Sequence, residues 1–132
     1  MILGMFTANS HPATILFDSG ASHSFISAQF VARHNLPILL LPNKMIVNSP
    51  GGEMVTRHIC PKIGITIRGV EFLSNLIILE SKGLDIILGM DWLTKYKGVI
   101  ECATRTIQLK HPEGAIIEYQ AMPKTDTTVQ LN

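Results

Sequence analysis

In the segment Ala13-Thr14-Ile15-Leu16-Phe17-Asp18-Ser19-Gly20, a carboxylate stands where an apolar run stops. Thr14, Ile15, Leu16 and Phe17 favour extended backbone, so Asp18 falls at the end of a buried strand. Ser19 brings a hydroxyl that can donate and accept hydrogen bonds. Gly20 permits close backbone approach and dihedrals closed to other residues. A carboxylate held this way can act as a general base or, protonated, as a general acid. The plainer meaning of Asp-Ser-Gly is a turn, the commoner role of that tripeptide. The loop alone leaves both readings open.

Carboxylates placed in pairs can divide acid and base work between them. Asp85 and Asp91 are the candidates for a second in the same chain, yet neither is followed by Ser-Gly or Thr-Gly. Asp91 reads instead as the N-cap of a short helix. His58 and Cys60, two residues apart, invite a metal, but no further ligand pair follows at zinc spacing. His11, His23, His34 and His111 are scattered along the chain. No metal and no cofactor are expected.

The composition narrows the function classes. With 132 residues the chain fits one domain with a real core. An apolar fraction of 46% against 16% charged residues argues against a disordered chain. A formal net charge of +1 and the lack of any Lys/Arg cluster argue against a nucleic-acid or acidic-membrane surface. Cys60 and Cys102 form no disulfide framework and suit a reducing, intracellular setting, where they serve as small apolar residues. No apolar run reaches the roughly 18 to 20 residues of a membrane helix. Met1 to Phe6 is too short for a signal core and lacks a basic lead-in.

The elements that would position Asp18 can be read in order. Met1 to Ala8 and Ala13 to Phe17 form a hairpin around Asn9-Ser10-His11-Pro12, which delivers Asp18. Ser27 caps a short helix to His34, with Phe30 and Val31 inward, and Pro37 ends it. Lys44 to Asn48 and Glu53 to Cys60 flank Ser49-Pro50-Gly51-Gly52, either a surface hairpin or a mobile flap. Lys62 to Ile67 alternates, with Ile63, Ile65 and Ile67 on one face, and Arg68-Gly69 turns into Val70 to Leu79. The run Leu76-Ile77-Ile78-Leu79 implies burial on both faces. A further buried strand, Asp85 to Leu88, stops at Gly89 before a helix. Val99–Glu101, Thr106–Lys110 and Ala115–Tyr119 are later strands, and a polar, frayed tail spans 121–132 after a domain at 1–120.

Three stretches together resemble a known family: Phe17-Asp18-Ser19-Gly20-Ala21-Ser22-His23-Ser24-Phe25-Ile26-Ser27, Ile86-Ile87-Leu88-Gly89-Met90-Asp91-Trp92-Leu93, and His111-Pro112-Glu113-Gly114. They are similar to the retropepsin-type aspartic proteases, above all to the protease domain of plant gypsy-type LTR retrotransposon polyproteins. The resemblance implies an all-β fold, a closed, mostly antiparallel acid-protease-like barrel with one or two short helices and one lobe per chain. It implies an aspartic endopeptidase working as a homodimer on a polypeptide, its own polyprotein, in the cytoplasm or inside a virus-like particle. Asp18 would be catalytic, Ser19 would bond across the dimer axis, and the Gly20 carbonyl would hold substrate backbone. Ala21, Ser22, Gly51, Gly52, Ile86 and Ile87 would meet the substrate, with Ile46 and Val47 as further pocket walls. Ser19 replaces the more frequent threonine, and Ser22 stands where viral enzymes usually carry aspartate.

Three rival readings fit the same residues. One is a domesticated, non-cleaving copy acting as a dimerisation or peptide-binding module. Another is the related ubiquitin-shuttle protease domain, also a dimeric Asp-Ser-Gly module. The third is a monomeric β-barrel ligand binder.

Overall fold

The chain opens with β1 (Ile2–Ala8) and β2 (His11–Phe17), joined through Asn9 and Ser10, whose φ values of 48° and 71° are both left-handed. Turns of that hand match the twist of paired strands. Ala8 therefore faces His11 and Ile2 faces Phe17, which fixes where the strand delivers Asp18. The second strand starts two residues before the expected Ala13. The computed structural model describes residues 1–49, 51–81 and 83–121.

After the Asp18 loop come β3 (Phe25–Ser27) and α1 (Ala28–Arg33), whose N-cap Ser27 accepts from the Phe30 amide. Phe30 and Val31 are its buried residues, as the pattern requires. The helix ends at Arg33 with His34 as its C-cap, within a residue of the expected His34, but Pro37 is not what stops it. Asn35 turns left-handed with φ 52°, and the amides of Asn35 and Leu36 close back on the carbonyls of Ala32 and Val31. This is the Schellman arrangement, which stops a helix without a proline.

The long hairpin of β4 (Leu39–Ser49) and β5 (Gly52–Ile67) follows, then β6 (Val70–Leu79), β7 (Ile86–Leu88) and α2 (Met90–Lys95). The expected break before Lys62 is a bulge inside β5: register shifts between Cys60 and Ile63, and Lys62 has φ 53°. Ile63, Ile65 and Ile67 are all fully buried. Gly89 is the residue before α2, and Asp91 lies inside its first turn rather than at the cap. The tail of the fold is a separate sheet of β8 (Val99–Glu101), β9 (Thr106–Lys110) and β10 (Ile116–Gln120). Ala121 is buried and its amide bonds to the Arg105 carbonyl, so this residue packs with the domain. The rest of the expected tail lies outside the described residues.

The main sheet runs β1-β2-β7-β3-β6-β5-β4, and β1 also touches β5 through Thr7↔Thr66 and Ala8↔Ile65. The molecule is mostly β with two short helices, as expected, and the β1–β5 pairing curls the seven-stranded sheet back on itself. Antiparallel pairing dominates, but β2–β7 and β3–β6 are parallel. Side chains alternate across the sheet. One face carries Ile15, Phe17, Ile26, Leu76, Ile86 and Leu88 into the main core with Trp92, Ile107 and Leu109. The other carries Phe25, Val47, Ile77 and Ile87, with Leu16, Met45, Met54 and Ile59 packed against them. The run Leu76 to Leu79 thus serves both faces, as its unbroken hydrophobicity implied.

Candidate active site

Asp18 is the first residue after β2, and its amide donates to the Leu88 carbonyl of β7 at 2.9 Å. The backbone then folds on itself. The Gly20 amide donates to Asp18 Oδ1 at 2.9 Å, and the Ala21 amide to the Asp18 carbonyl at 3.1 Å. The tripeptide is therefore a turn, and the carboxylate is part of what closes it. Asp18 itself stays half-buried and open to a cleft of about 440 Å³. Turn and functional readings are compatible here, because one carboxylate oxygen shapes the loop while the group still meets the cleft.

A second layer fixes the loop from beneath. Gly89 approaches so closely that an added Cβ would lie 2.6 Å from the Ala21 carbonyl oxygen and would also strike that of His23. The Met90 amide donates to the Ala21 carbonyl at 2.7 Å, and the Asp91 amide to that of Ser22 at 3.3 Å. Ser24, buried at the far end of the loop, donates through Oγ to Asp91 Oδ1 at 2.6 Å and accepts from the Gly89 amide at 2.9 Å. Asp91 Oδ1 also accepts from the Trp92 amide at 2.7 Å. The Leu88-Gly89-Met90-Asp91 segment is thus the seat of the Asp18 loop.

Neither Asp85 nor Asp91 is free to pair with Asp18. Asp91 is occupied as described. Asp85 Oδ2 accepts from both the amide and the hydroxyl of Thr14 at 2.9 Å each. Thr14 lies four residues before Asp18 on one strand, a separation of about 13 Å at the usual rise. Each chain offers the cleft a single carboxylate from this set.

The cleft is lined by Asp18, Gly20, Ala21, Ser22, Phe25, Asn48 and Ser49. The β4–β5 hairpin tip reaches over the loop, with Val47 and Met54 packed in the second cluster beside Phe25 and Ile87. Ser49 Oγ donates to the Gly52 carbonyl at 2.7 Å and pins the turn. Gly51 and Gly52 are exposed at the tip, Gly52 with φ 115°, and neither lines the cleft. Ser19 is exposed and borders a different hollow of about 470 Å³, along α2 with Met90, Thr94, Lys97 and Ile100.

Ile87 is buried in the second cluster, behind the cleft wall, whereas Ile86 points into the main core at 1% exposure. Ile46 is on the outer surface of the hairpin opposite Val55. Ile86 and Ile46 are therefore not pocket walls. Phe25, Asn48 and Ser49 were missed from the sequence. Phe25 carried a signal, since its place in the loop-to-strand run puts it on the Ile87 face. Cys60 is buried, and burial pushes its thiol up to about 11, so it stays protonated at neutral pH beside an exposed His58.

Fold and site together define a protein of retropepsin-like architecture. A family model described as retroviral aspartyl protease matches residues 1–115, and the chain belongs to that family. Among solved structures, the retroviral protease-like domain of Ddi1 from Leishmania major superposes with a TM-score of 0.65 at 16% identity, covering 96% of this chain and 97% of that one. EIAV protease, complexed with the inhibitor HBY-793, superposes with a TM-score of 0.59 at 19% identity, covering 75% and 90%. At these identities the likeness is one of fold. No curated protein matches the chain significantly.

Proposed function

We propose that the chain is an aspartic endopeptidase, active as a homodimer, that processes the polyprotein of a gypsy-type plant retrotransposon in the cytoplasm or within a virus-like particle. The observation that carries the reading is Asp18: one turn-held carboxylate per chain, open to a cleft roofed by a hairpin. Two such loops meeting across a two-fold axis bring identical residues together. Ser19, exposed beside the hollow along α2, is available for that contact.

Two carboxylates in contact cannot both ionise cheaply, so the pair holds one proton. The ionised member takes a proton from a bridging water, which attacks the scissile carbonyl. The protonated member hydrogen-bonds to the carbonyl oxygen as charge develops there. The titration belongs to the pair and not to either copy of Asp18. No covalent intermediate and no metal enter the reaction. The Gly20 carbonyl and the Asn48 amide are the backbone and side-chain groups proposed to hold the peptide.

The test is hydrolysis of an unfolded polypeptide in mildly acidic solution, with the molecular mass followed across concentration. Cleavage is expected only where the mass is that of a dimer. A statine-type transition-state mimic should stop it, and Asp18→Asn should lower it by at least about a hundredfold. Equal, negligible hydrolysis by wild type and variant at dimer-forming concentration would assign the fold to a non-cleaving peptide-binding module. A strict monomer would point to a ligand binder.

A further inference from the structure

Ser22 lines the cleft beside Asp18, and its hydroxyl lies 3.1 Å from Nδ1 of the neighbouring His23. Among the described residues this is the only side-chain hydrogen bond of either group. The backbone around the pair is fixed, because the Ala21 and Ser22 carbonyls accept from Met90 and Asp91 and the His23 carbonyl abuts Gly89. The pair is therefore presented on a rigid loop, with Ser22 exposed and His23 half-buried behind it. The other polar hydroxyl of the cleft, on Ser49, is spent on Gly52.

The direction of the Ser22–His23 bond depends on the imidazole. A neutral ring accepts at Nδ1, so the Ser22 proton is committed to it and the serine oxygen offers only lone pairs to the cleft. A protonated ring donates from Nδ1, which fills a serine lone pair and frees the Ser22 proton for the cleft. Protonation also places a positive charge directly behind the hydroxyl. From these alternatives we propose that His23 is a positioning residue that sets, through Ser22, which substrate side chain the cleft accepts. Acidification turns the subsite toward a carboxylate of the substrate, an aspartate or glutamate side chain near the scissile bond. The preference for an acidic residue needs a protonated ring and an ionised substrate carboxylate together.

The charged groups on the elements packed around the loop are Asp18 at the end of β2, Glu53 opposite Asn48 at the hairpin tip, Asp91 in the first turn of α2 and Lys95 in its last. Asp91 is held by Ser24 and the Trp92 amide, so its placement does not change with substrate. Asp18 changes protonation during catalysis. Its charge acts on a Glu substrate and not on a Gln one, and the comparison with His23→Gln, which keeps Asp18, isolates the part due to His23.

This inference rests on the endopeptidase reading, and the experiment separates the two. Matched peptides carrying Glu or Gln at each position flanking the cleaved bond are compared by kcat/KM between pH 4.5 and 7.5. At one position the Glu/Gln ratio should rise about fivefold on acidification, the scale of an exposed ion pair, mostly through KM. His23→Gln should flatten that ratio, and Ser22→Ala should do the same with His23 intact. The same peptides are titrated onto the Asp18→Asn protein by fluorescence anisotropy, which reads recognition without hydrolysis. Cleavage with a ratio that is flat in pH, or equally steep in His23→Gln, overturns the inference and leaves the protease standing. Binding that favours Glu at low pH and needs His23, without cleavage by wild type, overturns the protease and keeps the inference. Absence of both sinks both.

Discussion

Gly89 is the residue on which the geometry of Asp18 depends most directly, although it carries no side chain. The space an alanine would need is filled by backbone oxygens of Ala21 and His23, and backbone cannot rotate aside as a side-chain tip can. Gly89→Ala should therefore shift the Asp18 loop and cost about 1–3 kcal/mol, as overpacking does. Urea denaturation would read the stability loss, and peptide hydrolysis should fall further than the residual folded fraction explains. Ser24 supports the same contact differently. Its hydroxyl satisfies the Gly89 amide and the Asp91 carboxylate at once. Removing it leaves a buried N–H unpaired, a loss of about 1–3 kcal/mol. If Gly89→Ala keeps full stability and activity, the loop is not seated as described.

Asp85 plays the corresponding part among the elements. Its carboxylate takes both donors of Thr14 in β2, its amide donates to the Thr14 carbonyl, and its own carbonyl accepts from Ser27 at the start of α1. One residue thus joins the entry of β7 to β2 and to α1. Asp85→Ala should lower stability by about 1–3 kcal/mol because the Thr14 amide loses its acceptor. Asp85→Asn retains an acceptor oxygen and should lose less, a difference visible in thermal unfolding. The sequence excluded Asp85 from catalysis only by its neighbours; its bracing role needed the contact with a residue far off in the chain.

Most strands, the Ser27 cap and the Asp18 loop were legible for the opposite reason, since alternation, cap chemistry and the Asp-Ser-Gly turn are all local. Asp91 looked like a cap because it precedes an apolar helix. Its carboxylate instead serves Ser24, which no local pattern reveals. The extent of α1 to His34 was legible, but its stop is set by Asn35, which tolerates left-handed backbone, and not by Pro37. Ile86 and Ile87 were both placed at the substrate. Successive residues of a strand point to opposite faces, so one of them had to face the core. Phe25, Asn48 and Ser49 meet at the cleft only because the long hairpin folds over the loop.

At the scale of the whole molecule, acid acts in two opposing ways. The proposed reaction uses a proton held between two carboxylates, so mild acidity favours it. The fold contains a group that acidity works against. His34 stacks on His11 at 4.0 Å between ring centroids and packs against Phe30 at 4.5 Å. Burial lowers its pKa from the usual 6.5, with repulsion from His11 and Arg33 adding to the shift and Asp85 partly opposing it. The folded chain therefore binds this proton less readily than the unfolded one, and linkage gives the sign. The stability His34 contributes is complete above about pH 6.5 and drains away as pH falls through its lower folded value. Because the stack lies at the start of β2 and Asp18 at its end, this loss should appear as destabilised fold before any change in the reaction. His34→Gln should flatten the fall in urea midpoint between pH 7.5 and 5 while leaving the dependence of kcat on pH, measured on fully folded dimer, as in wild type. A midpoint that falls equally steeply in the variant would remove His34 as the cause, and a changed kcat profile would mean the stack communicates with Asp18 along β2.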